Sequence, residues 1–381
     1  MNIIMFTMLS LSINTNPYIE LTILGPGTTR VFYENKGDIY DRWCPEMIFP
    51  SEIYINSQKK EDKCSEYNLD NPENTIKLVF NDKVDLKCYF RSCSKVTKID
   101  FSNLDFNILS GYNFASLFID CTSLTTINFG NFDTKETNSM TYMFANCKSL
   151  KSIDLSNYVA PKLTRMDRMF EGCTSLISVN LSNFVATNVE DMSFMFSSCK
   201  ELISVDFSNF QTPNLKDMRF MFNGCSKLSS INLSSFDASN VITMEILFQN
   251  CKSLSSLDLF KTPTTKIINI TCIFFNCHYL TSIDLSNFVS TNNLEHIGLA
   301  FKHCIQLKYI NISNLVTKNV KVMDNMFFNC KALTSLNSSN FELSQVTWIE
   351  SMFDGCSNLE FIYLKNVAER KEFKKINYKN I

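Results

Sequence analysis

Residues 176–199 read LISVNLSNFVATNVEDMSFMFSSC. In the first part, Leu176, Val179 and Leu181 form Leu-x-x-Val-x-Leu, whose last residues alternate apolar and polar as a half-buried strand does. In the last part, Met192, Met195, Phe196 and Cys199 stand at i, i+3, i+4 and i+7, one face of two helical turns. Between them, Ser182-Asn183-Phe184 reads as a bend: Ser and Asn can bond their own backbone, and the Phe anchors the turn in the core. One strand and one short helix therefore share about two dozen residues, too few to bury their apolar sets alone.

The stretch recurs along the chain. Aligned on Cys93, Cys121, Cys147, Cys173, Cys199, Cys225, Cys251, Cys277, Cys304, Cys330 and Cys356, the spacings are 28, then six of 26, then 27, 26 and 26. A Phe stands three residues before every one of these cysteines, from Phe90 to Phe353, and an aliphatic three residues after, Leu in all but Val96. The predicted fold is an α/β repeat: a solenoid of about eleven 26-residue coils, parallel strands on one face and short helices on the other. Parallel strands about 4.8 Å apart would make its sheet about 50 Å long.

Composition narrows the class. Of 381 residues, 45% are hydrophobic, and 36 basic residues balance 38 acidic ones, which argues against nucleic acid as a partner. The longest apolar run, Ile3 to Ile13, falls short of the roughly 20 residues that cross a bilayer.

The combination Leu-x-x-Ile-Asp-Leu-Ser-Asn-Phe and Met-x-x-Met-Phe-x-x-Cys resembles the BspA-like leucine-rich repeats, the 26-residue repeat of bacterial surface proteins. The resemblance covers roughly residues 88 to 364. It implies a surface or secreted protein used in adhesion or protein binding, with a protein or surface glycan as ligand and no catalytic residues to carry over. The coil Lys252 to Cys277 departs from it, with Phe260-Lys261-Thr262 in place of Ser-Asn-Phe, and the coil ending at Cys304 has one extra residue. Local irregularity is expected at both.

Four segments follow: residues 1–16 as a possible signal peptide, 17–82 as an N-terminal β cap, 83–364 as the solenoid and 365–381 as a basic tail. Signal-peptide logic is incomplete, since no Lys or Arg precedes the apolar run and no small-x-small site follows it. In the cap, Tyr18 to Leu24, Arg30 to Tyr33, Glu52 to Asn56 and Thr75 to Phe80 read as strands, the last of them beginning the solenoid sheet and closing its open end. The cap is acidic, with ten acidic and five basic residues from Glu34 to Glu73.

Eleven of the 15 cysteines are locked to the repeat and read as small buried hydrophobes. Of the others, Cys44 and Cys64 are the expected disulfide, in a small cap where a staple helps most. Cys272, Cys277, His278, His303 and Cys304 are the one metal-like grouping, but two are ladder residues and tetrahedral spacing is lacking, so neither metal nor cofactor is expected. Along the strands a column alternates Asp and Asn, including Asp154, Asn180, Asp206, Asn232, Asp258 and, past the alternation, Asp284. Interleaved amides halve the charge and can donate to carboxylates. Such a monotonous surface reads as scaffold. The varied residues Lys308, Tyr309, Glu360, Phe361 and Tyr363 are the better binding patch. Among the Asn-x-Ser/Thr sites, Asn269 is favoured for glycosylation because the others lie within strands. The expected function is non-enzymatic binding at the cell surface or in the secreted fraction; the alternative is a cytoplasmic protein-interaction scaffold.

Overall fold

The computed structural model describes residues 16–35, 44–46, 48–289 and 291–363. The signal segment, apart from Asn16, and the basic tail lie outside them.

The cap contributes β1 (Tyr18–Leu24), β2 (Gly27–Arg30), β3 (Glu52–Ile55), β4 (Gln58–Lys60), β5 (Glu66–Leu69) and β6 (Glu73–Val79). Solenoid strands follow once per coil: β7 (Val96–Asp100), β8 (Thr126–Asn128), β9 (Ser152–Asp154), β10 (Ser178–Asn180), β11 (Ser204–Asp206), β12 (Ser230–Asn232), β13 (Ser256–Asp258), β14 (Ser282–Asp284), β15 (Tyr309–Asn311), β16 (Ser335–Asn337) and β17 (Phe361–Tyr363). Neighbours pair in parallel at equivalent positions, as Ser178 with both Ser152 and Ser204. The coil with the extra residue stays in line, for Ser282 pairs with Tyr309 and Asn269 bridges His296.

Cap and solenoid share one sheet, ordered β4-β3-β6-β1-β7-β8. The closing strand is therefore the first of the cap, not the last. β1 lies antiparallel to β6 on one side and to β7 on the other. Its Ile19, Leu21 and Ile23 alternate inward, fully buried, so β1 both covers the free edge of β7 and completes the core. Behind it, Tyr89 is fully buried against Phe32, Phe80 and Phe90.

The predicted helices are absent. Among the described residues the solenoid carries one short helical piece, the 3-10 turn Phe106–Ile108 in the long first interval. Elsewhere the Met-x-x-Met-Phe-x-x-Cys segment is two successive tight turns. Each turn holds a left-handed residue, one five before the cysteine (Tyr142, Arg168, Phe194, Phe220) and one immediately before it (Asn146, Gly172, Ser198, Gly224). The hydrogen bonds explain why. Met169 N bonds back to Met166 O and Cys173 N to Phe170 O, three residues away. The alternate amides of Arg168, Phe170 and Gly172 donate to Ser193, Met195 and Ser197 of the next coil. A helix would spend every amide within its own coil; here half of them tie adjacent coils together. Two four-residue turns place apolar residues at i, i+3, i+4 and i+7 just as a helix does, so side-chain spacing cannot separate them.

What fills the interior is a column of rings. Phe90, Phe118, Phe144, Phe170, Phe196, Phe222, Phe248, Phe274, Phe301, Phe327 and Phe353 stack nearly parallel, as at 5.2 Å between Phe144 and Phe170 and 5.5 Å between Phe170 and Phe196. Beside them runs the cysteine ladder. Each thiol from Cys121 to Cys356 donates to the carbonyl of the column Phe one coil earlier, such as Cys173 Sγ to Phe144 O at 3.0 Å. That carbonyl already accepts from the amide of the cysteine in its own coil, so the thiol spends its second lone pair. The ladder residue is thus more than a small hydrophobe: its sulfur is a donor that a buried carbonyl uses.

Candidate binding surface

The strand face is organised by the Asp/Asn column. Except at Asp258, the carboxylate or amide oxygen accepts the backbone N–H two residues on, as Asp154 Oδ1 from Ser156 N at 2.9 Å, Asn180 Oδ1 from Ser182 N at 3.1 Å and Asn232 Oδ1 from Ser234 N at 2.9 Å. These are Asx turns, and they start the bend after the strands that end in them. Asp206 and Asp284 cap in the same way. The expected amide-to-carboxylate bonds also form, from Asn128 to Asp100, from Asn180 to Asp154 at 3.1 Å and from Asn311 to Asp284 at 2.9 Å. Hydrogen bonds from Ser156 and then from Asn180 hold the Asp154 carboxyl below the usual carboxylate range. Serine two residues past most of these Asp and Asn residues, and Gly130 past Asn128, is the signal for the turns in the sequence. Asp258, followed by Leu259 and Phe260, stands where that signal is missing.

Asn180→Asp would place three carboxylates in line at about 4.8 Å spacing and remove a donor from Asp154. The expected cost is about 0.5–1 kcal/mol at neutral pH. Like charges raise the folded pKa values, so the penalty exists above them and disappears as pH falls through them. Urea melts at pH 7 and pH 3, with and without salt, check both the size and the sign.

Over β9, β10 and β11 the face forms an open groove of about 560 Å³ lined by Ser152, Asp154, Ser178, Asn180, Ser204 and Asp206. Its chemistry repeats every coil, and its carboxylates and amides are committed to turns.

The C-terminal coils differ. Tyr309, Ser335 and Phe361 occupy one column of the strand face, since Ser282 pairs with Tyr309 and Ser335 with Phe361. The rings of Tyr309, Phe361 and Tyr363 are 61%, 57% and 59% exposed, where equivalent central positions carry Ser, Asp or Asn. Lys308 and Glu360, both exposed, precede the two column rings. Tyr309 and Phe361 thus lie two rungs apart in one column with small Ser335 between them, and Tyr363 lies two residues beyond Phe361 on the same strand.

Other sequence-level candidates change. Cys44 pairs with Cys88, at a Cα separation of 5.8 Å, and not with Cys64, whose exposed thiol is free. Cys64 lies in the cap with Cys44, but it is Cys88, in the left-handed position five before Cys93, whose sulfur reaches Cys44. Of the metal-like grouping, Cys277 and Cys304 donate to Phe248 O and Phe274 O, and His303 Nδ1 lies 3.2 Å from Asn329 Nδ2. Burial pushes the Cys173 and Cys304 thiols up to about 12 and Cys272 to about 11, so these sulfurs are protonated. Asn269 is half-buried, bridges Thr243 and His296, and caps Thr271 N at 2.8 Å. It is off the named strands but no freer than the strand sites.

Among the described residues no helix is long and apolar enough to cross a membrane. No curated protein matches the chain. Among solved structures, a leucine-rich cell surface protein from Faecalibacterium prausnitzii is 16% identical, over 77% of this chain and 79% of that one, with a TM-score of 0.31. A leucine-rich repeat protein from Eubacterium ventriosum is 18% identical over 71% and 79%, with a TM-score of 0.35. The functional domain of InlJ from Listeria monocytogenes, which includes a cysteine ladder, is 14% identical over 73% and 72%, with a TM-score of 0.25. At these scores the likenesses carry no functional argument. Matches at residues 84–204, 165–288 and 268–376 overlap through most of the chain, which therefore belongs to the family described as Mycoplasma protein of unknown function, DUF285, with the BspA-like leucine-rich repeat.

Proposed function

We propose that the protein is a non-enzymatic binding protein of the cell surface or secreted fraction, docking another protein on the strand face of its last coils. The carrying observation is the exposure of Tyr309, Phe361 and Tyr363 beside Lys308 and Glu360. Rings held on a rigid sheet lose little entropy on binding and supply most of the energy of protein interfaces. The Cys44–Cys88 disulfide supports an oxidising compartment. Buried ladder thiols do not argue against one, because they are protonated and shielded from exchange. Asn269 remains a proposed glycan acceptor.

The test uses labelled full-length chain on intact cells, alongside fractionation of the tagged protein in the organism that makes it. Saturable surface binding is expected, with a loss of at least about tenfold in the Tyr309→Ala/Phe361→Ala/Tyr363→Ala variant. Equal binding by the variant would remove the patch. Retention in the cytosol without surface binding would favour the scaffold reading instead.

A further inference from the structure

The cap holds a polar cleft of about 420 Å³ between the β3–β4 turn and the turn joining β5 to β6. Its floor is rigid. Buried Asn74 accepts from Asn56 Nδ2 at 2.9 Å and donates to Asn71 O at 2.8 Å, while Asn56 Oδ1 accepts from Thr75 N at 3.0 Å. Tyr67 forms part of the wall, its hydroxyl donating to Asp62 O at 2.6 Å and accepting from Cys64 N at 3.0 Å. The side chains of Gln58, Asn68 and Asp70 also line the cleft, but they are exposed and are not spent on bonds among the described residues.

We infer that this cleft binds a neutral saccharide of one or two units. Its volume lies within the range of small-ligand pockets, about 300–1,000 Å³. Each unspent amide presents a donor and an acceptor side by side, the complement of vicinal hydroxyls that both donate and accept. A ring pinned at its hydroxyl offers an apolar wall to the C–H face of a sugar. Charge selects against acidic ligands: Glu61, Asp62 and Asp70 line the cleft against the single cation Lys60. Phosphate esters and sialylated glycans would meet net repulsion. The site is separate from the aromatic patch on the last coils.

The experiment uses the full chain and a panel of lactose, maltose, cellobiose, diacetylchitobiose and 3′-sialyllactose, read by saturation-transfer NMR and calorimetry. The same glycans printed on a surface separate free sugar from a glycan end as the source. At least one neutral disaccharide binds at millimolar concentration or below, and sialyllactose does not. Gln58→Ala with Asn68→Ala weakens that binding by at least about tenfold, the loss of two neutral hydrogen bonds, with an unchanged melting temperature. The triple aromatic variant leaves it unchanged, which separates failure here from failure of the patch. No neutral saccharide bound, or equal binding by the double variant, overturns the inference.

Discussion

Phe196→Ala should lower the unfolding free energy by about 3–5 kcal/mol, the usual cost of emptying a buried aromatic site. The ring is fully buried, stacked 5.5 Å from Phe170 and 5.4 Å from Phe222, with Phe207 against its edge. Removing it leaves a cavity between three coils and breaks two stacking contacts. Coils touch only their neighbours, so the loss falls on a nearest-neighbour interface and should weaken coupling between the halves of the solenoid. Urea unfolding followed by circular dichroism should show a lower midpoint and a broadened or divided transition. Phe353→Ala in the last coil should cost less, because its ring is already 6% exposed where that of Phe196 is fully buried. A loss below about 1 kcal/mol at Phe196 would mean that the stack contributes little and that coil-to-coil backbone bonds dominate.

Replacing Cys44 and Cys88 together by Ser should cost about 2–4 kcal/mol, since the bond closes a separation of 44 residues and removes that loop entropy from the unfolded chain. The effect should be local. The bond joins the cap to the first coil, so the cap should open before the solenoid melts, uncovering the β7 edge now paired with β1. Hydrogen exchange would show lost protection in β1 and β6 ahead of β9 to β11, and size-exclusion chromatography would show association through the bared edge. Cys64→Ser should change neither, because its thiol is free. A stability loss in Cys64→Ser matching that of the double variant would reassign the pairing.

The cysteine interval, the Phe three residues ahead of it and the aliphatic residue three after were legible because they recur in every coil, and repetition separates core positions from chance. The proposed patch stands out for the opposite reason: Tyr309, Phe361 and Tyr363 occupy positions that carry Ser, Asp or Asn in the central coils. The Asx turns are present as Asp/Asn-x-Ser, but the alternation of Asp and Asn equally suits charge interleaving, a weaker role of the same side chains. The cap cleft gave no signal, for Gln58 of β4 and Asn68 of β5 belong to two different sheets that only the fold brings side by side.

Residue order alone settles the period of the solenoid and the side chains that face inward, because one period of apolar residues must recur wherever coils stack. Only the tertiary structure decides between helix and paired turns, between Cys64 and Cys88, and which cap strand seals the sheet. Side-chain spacing reports which way residues point. It is silent on whether a backbone amide bonds within its own coil or to the next, and on which distant segment covers an edge; those choices are made by contacts between residues far apart in the chain.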